Sequence, residues 1–138
     1  MAFAGVNYLA VLLGTVAAFV FGGAWYGVLG KRWLAALGKE EAAVRSGPPM
    51  ALRLAIAVLA LLVMAYMLAG VIGHLGPGQV TLRNGLIGGF FIWIGFVLTT
   101  LIVNYVFQNQ KPMLTVIDGG HWLGVLLIEG AIIGAIGV

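Results

Sequence analysis

Four long apolar stretches, each near the length needed to cross a bilayer, leave this chain one class of fold. A helix takes about 20 apolar residues to span a hydrocarbon core. The stretches run from about Tyr8 to Leu29, Leu54 to Gly73, Gly85 to Phe107 and Asp118 to Val138. Backbone groups in lipid must satisfy one another, so segments of this kind fold as helices. The sequence therefore predicts an all-α, integral membrane bundle of four transmembrane helices, a single membrane domain over 1–138 with no soluble domain. Composition agrees: 62% of residues are hydrophobic and 8% charged, against about 45–50% and about 25% in soluble domains. The opening residues lack the basic leader of a signal peptide, so the first helix is expected to be retained.

The basic residues give an orientation. Lys31, Arg32, Lys39, Arg45 and Arg53 flank or fill the first connection, Lys111 lies in the third, and Arg83 stands alone in the second. That bias places the first and third connections in the cytoplasm and both termini outside. Trp25, Tyr26 and Trp33 then read as an aromatic belt at the cytoplasmic end of the first span, with Tyr105 and Trp122 doing the same for the last two. The net charge of +3 is spread over loops and forms no basic face on a polar domain, so nucleic acid is not an expected partner. Cysteine is absent, which excludes disulfides, thiolate metal sites and a cysteine nucleophile.

The connections are short and punctuated. Pro48, Pro49, Pro77 and Pro112 all fall between spans, so no helix is expected to be broken. In the first connection Trp33, Leu34 and Leu37 recur at helical spacing, which fits a short interfacial helix ending at Gly47-Pro48. A plain solvated loop fits nearly as well.

Small residues mark where helices can approach closely. The first span carries Gly14, Ala18 and Gly22 at intervals of four, and the third carries Gly85 and Gly89. The last has Gly120 with Gly124, then Gly130 with Gly134. Helix packing is the expected role of all of them.

The last span holds the one chemical anomaly, "IDGGHWLGVLLIEG" at residues 117–130. On a helical wheel Asp118, His121 and Glu129 share one face within an arc of about 80°, and the glycines fall on the opposite face. The glycine face wants a close helix and the polar face must avoid lipid. Both sides should therefore meet protein or enclosed water; a central last helix could provide this, a homo-oligomer provides it more naturally, and a homo-oligomer is the expectation. Asp118 is expected to be the helix N-cap, or to pair with Lys111 or Lys31. His121 is expected to hydrogen-bond Asn104 or Tyr26. Glu129 sits about 16 Å further along the axis, near the midplane. A charge there costs upwards of about 2.5 kcal/mol, and Tyr66, Thr99, Thr100 and the backbone are its only candidate partners. It reads either as a functional acid or as a protonated packing residue. Asp118 and His121 alone are too few to hold a metal, and no cofactor is expected.

Two segments carry a family resemblance. "NYLAVLLGTVAAFVFGGAWYGVLGKRW" at 7–33 and "KPMLTVIDGGHWLGVLLIEGAIIG" at 111–134 resemble a bacterial family of short four-helix membrane proteins, domain-of-unknown-function family 1761. The resemblance rests on the Asn-aromatic-Leu-Ala opening, Trp-Tyr followed by Lys-x-Trp, and Lys-Pro leading into a His-containing last helix. It implies the four-helix fold and a multi-pass protein of the bacterial inner membrane, and it implies no reaction. The family pattern has an aromatic just before the histidine where this chain has Gly120, and Glu129 is not among its hallmarks.

Three function classes remain. A non-catalytic accessory or scaffolding protein, packed with itself or with another membrane protein, suits the small loops and glycine ladders. A proton, cation or small-solute channel or carrier would use the polar face, although Ile132 and Ile136 continue that face as apolar residues. An enzyme is not expected, because paired deep carboxylates, an activated nucleophile and a metal cluster are all missing.

Overall fold

The computed structural model describes residues 3–137. Among them, α1 spans Tyr8–Leu37, α2 Glu41–Arg45, α3 Met50–Gly73, α4 Leu82–Ile92, α5 Thr99–Phe107 and α6 Pro112–Ile136, with a π-helical segment at Trp93–Leu98 joining α4 to α5. Four helices are long and apolar enough to cross a membrane: α1, α3, the continuous run Leu82–Phe107, and α6. Val138, expected as the end of the last span, lies outside the described residues.

Local chemistry sets the helix ends. Asn7 Oδ1 accepts the N–H groups of Leu9 and Ala10 at 3.1 and 3.2 Å, which fixes the start of α1. Its other end is Gly38, left-handed at φ 68°, whose N–H closes on Leu34 and Ala35, the position where glycine carries no Cβ penalty. Thr81 caps α4 by accepting from Asn84 N at 3.2 Å, and Pro112 occupies the first turn of α6, where its missing N–H is harmless.

The first connection and the third span both differ from expectation. Trp33, Leu34 and Leu37 belong to the last turns of α1, because no proline precedes Gly38 and Gly30 alone only weakens a helix without ending it. A 30-residue helix is about 45 Å long and overshoots a bilayer core. The short helix of that connection is α2, which carries an exposed Arg45–Glu41 ion pair at 2.6 Å. The third span, expected to be regular, contains the π segment. Thr99 Oγ1 donates to Gly95 O at 2.9 Å and Thr100 Oγ1 to Phe96 O. Such back-bonding competes with the α ladder at this point.

α6 is the central helix, packed against α1, α3, α4 and α5. The apolar core is strung along it in layers: Leu126 and Ile133 with Val11, Leu68 and Ile72, then Val125 with Ala18 and Leu61, then Leu114 and Ile117 with Ala36. The third span is the peripheral one, 6% buried over its most apolar window against 44% for α6. One chain thus covers both faces of α6, so that requirement no longer calls for a second subunit.

The glycines pair in an order that a wheel does not give. A Cβ on Gly85 would strike the carbonyl of Gly130, one on Gly134 would strike Thr81 O, and one on Gly89 would lie 2.5 Å from Leu126 O. α4 and α6 therefore touch backbone to backbone. Gly120 and Gly124 differ from that pair, because their missing side chains make slots for the rings of Trp25 and Phe21. The Gly14–Ala18–Gly22 stripe of α1 meets the polar face of α6, with Gly14 against Glu129 and Gly22 against His121.

Candidate functional site

The polar face of α6 is divided into separate environments. Asp118 is 8% exposed and sits in the second turn of α6, with Lys111 at the N-cap position. The N-cap assignment for Asp118 is therefore corrected, because Pro112 starts the helix early. Tyr26 of α1 donates to Oδ1 at 2.6 Å and Tyr105 of α5 to Oδ2 at 2.5 Å. Hydrogen bonds to a carboxylate are short and strong, so this clamp ties three helices at one level. Neither expected lysine pairs with Asp118. Lys111 Nζ donates to Ala35 O at 3.1 Å instead, and the Arg45–Glu41 pair is the one ion pair among the described residues.

The same level is pinned twice more through the backbone of α6. Trp25 Nε1 donates to Ile117 O at 3.0 Å and Trp93 Nε1 to Gly119 O at 2.8 Å. Carbonyls already within a helix keep a second lone pair, and a buried indole N–H needs an acceptor.

His121, 8% exposed, lies one turn deeper in an aromatic cage. Its ring stacks on Phe21 at 6.0 Å, tilts against Tyr26 at 5.0 Å and meets Trp122 edge-on at 4.6 Å. The expected hydrogen bond to Asn104 or Tyr26 does not form. Asn104 is exposed, the Tyr26 hydroxyl is committed to Asp118, and His121 Nδ1 is buried without a partner. Nε2 is turned to Gly22, where an added Cβ would lie at 2.9 Å.

Glu129 is fully buried, and neither carboxyl oxygen has a hydrogen-bond partner. Its expected partners are occupied elsewhere: Thr99 and Thr100 bond carbonyls of their own helix, while Tyr66 stacks with Phe3 and Tyr8. Between His121 and Glu129 lie Val125 and Leu126, both essentially inaccessible. The stripe is therefore three sites, a clamped acid, a caged imidazole and an isolated acid, with an apolar seal above the last. Among the described residues no three His, Asp or Glu side chains gather as a metal site would need.

Tyr105, Trp25 and Trp93 are the residues the sequence did not assign to this site. A signal existed for Tyr105: it precedes Asp118 by 13 residues across the tight turn that reverses α5 into α6, which brings the two to one depth.

A further feature adjoins the caged histidine. A groove of about 500 Å³ runs between α1 and α3, with His121 and Trp122 at its floor and Gly22, Gly23, Ala57 and Ala60 along its walls.

The family model described as "Protein of unknown function (DUF1761)" matches residues 9–134. No curated protein and no solved structure matches the chain.

Proposed function

Because the chain belongs to the DUF1761 family, whose description gives no activity, we propose from the geometry that it is a non-catalytic multi-pass membrane protein, acting through what it packs against or binds. The observation that carries this is the seal formed by Val125 and Leu126 between His121 and Glu129. A relay needs neighbouring groups in hydrogen-bond reach or joined by one water, and two buried apolar side chains interrupt it. Asp118, with both oxygens taken by tyrosines, is occupied structurally. In this proposal the protein sits in a bacterial inner membrane with the first and third connections inside, and works as an assembly of copies or with another membrane protein. The thinly covered third span, with Phe91 and Phe96 exposed, supplies the face for that contact.

A second reading has one observation in its favour. Glu129 is an intramembrane acid without a partner, and such residues mark ion pathways. Proton and cation flux into proteoliposomes separates the two readings. The proposal expects wild type and Glu129→Gln both to match protein-free vesicles. Flux in wild type that Glu129→Gln abolishes, with the fold intact, would make the protein a transporter. Contact between copies is read separately, because the natural chain has no cysteine. A single Phe96→Cys variant should crosslink to itself in membranes if the third span is the contact face, and stay monomeric if lipid covers it.

A further inference from the structure

The groove between α1 and α3 has a polar end as well as an apolar one. It continues past Tyr26 and Arg53, which line both parts, into a second cavity of about 620 Å³ roofed by α2. That outer cavity is bordered by Lys31, Arg45 and Arg53 against the single acid Glu41. Glu41 is spent on Arg45 at 2.6 Å. Arg53 donates to the carbonyls of Pro48 and Val44 at 2.8 and 2.7 Å, neutral acceptors that hold the guanidinium in place without cancelling its charge. Two net positive charges thus stand at the mouth of a trough whose rim residues Leu54 and Ile56 are exposed. At its floor His121 is more than nine-tenths buried with Nδ1 unpartnered, and its Nε2 is turned to Gly22 on the groove wall.

We propose that this groove is a binding site for an anionic phospholipid, with the phosphate at Lys31 and Arg53, one acyl chain along Gly22, Gly23, Ala57 and Ala60, and His121 beside the ester region. The assignment follows from charge order along the trough. Basic pockets between membrane helices recruit anionic headgroups, and small apolar walls leave space for a chain. A soluble anion would use only the mouth and leave the trough empty. A zwitterionic lipid offers the same phosphate but brings a quaternary ammonium into a mouth that already carries net positive charge, so it should bind less well. The volume lies within the usual range for a ligand site. The site is independent of whether the chain conducts ions, so the flux assay and the lipid assay fail or succeed separately.

The test is native mass spectrometry of delipidated protein titrated with phosphatidylglycerol or with phosphatidylcholine of the same acyl chains. Wild type should retain phosphatidylglycerol in preference. Lys31→Gln with Arg53→Gln should weaken that retention about 25-fold, at roughly fivefold per charge, and weaken phosphatidylcholine less, so that the preference is lost. Ala57→Phe, which fills the trough, should weaken both lipids. If the double variant disturbs the α2 loop, Lys31→Gln alone should still cost about fivefold. Arg83→Gln, in the first turn of α4, should retain the preference. Equal retention of phosphatidylglycerol by wild type and the Lys31→Gln variants means surrounding lipid only and overturns the site. Displacement of the lipid by inorganic phosphate overturns it in favour of a free-anion site.

Discussion

Tyr105 on α5 donates its hydroxyl to Asp118 on α6 at 2.5 Å, closing the α5–α6 hairpin at the level where Tyr26 of α1 takes the other carboxylate oxygen at 2.6 Å. An acid that would be costly inside a membrane is thereby turned into a three-helix crosslink. Its worth lies in what removal exposes, since an abandoned buried donor costs about 1–3 kcal/mol.

Asp118→Ala should therefore destabilise the protein by about 2–4 kcal/mol, because two tyrosine hydroxyls lose their acceptor at once. Tyr26→Phe and Tyr105→Phe should each cost less, and their double variant should depart from additivity, as members of one network do. Unfolding in detergent micelles, followed by helicity, measures all four. Additive tyrosine effects would mean the two bonds are independent.

Glu129 predicts the opposite sign. Its carboxyl is fully buried and unpartnered, so a side chain of similar length without polar oxygens should be favoured there. Glu129→Met should stabilise the fold by about 1–3 kcal/mol. A loss of stability in the same unfolding assay would show that the acid has a partner, such as bound water.

The α4–α6 contact is testable by adding one methyl group. Gly85→Ala and Gly130→Ala each push a Cβ into the facing backbone, where no side chain can move aside. Each should cost about 3 kcal/mol or more. Gly27→Ala and Gly23→Ala meet nothing within 4 Å and should gain up to about 1 kcal/mol through helix propensity. Thermal midpoints of the four purified variants provide the comparison, and equal midpoints would contradict the packing.

The proposed orientation follows from loop charge and can be read with an impermeant thiol reagent, since the natural chain has no cysteine. Gln79→Cys should label in intact right-side-out vesicles, and Ser46→Cys only after the membrane is opened. The reverse pattern would invert the topology.

Much of this architecture is legible in the sequence. The four spans follow from segment length, and the turns from Gly and Pro between them. That Asp118, His121 and Glu129 share one face follows from helix periodicity. The errors have local causes. Pro112 begins α6 earlier than the first apolar run implies, which moves Asp118 from a cap into the helix body. Gly30, the one break signal at the expected end, is too weak without a proline to stop the helix, so α1 runs on through Trp33. The hydroxyls of Thr99 and Thr100, read as partners for Glu129, turn back onto their own helix.

What the sequence determined by itself is therefore one-dimensional: how many helices form, how long they are, and which residues lie together along each one. Only the tertiary structure decided which face meets which neighbour. It set the Gly14–Ala18–Gly22 stripe against the polar face of α6, and Gly85 against Gly130. The physical reason is the solvent. In water an amphipathic stripe identifies the buried side of a helix. For helices apolar enough to cross a membrane, the apolar faces of α1, α3 and the third span would resemble lipid tails, so neighbours are selected by close packing and a few hydrogen bonds, which depend on shape in three dimensions.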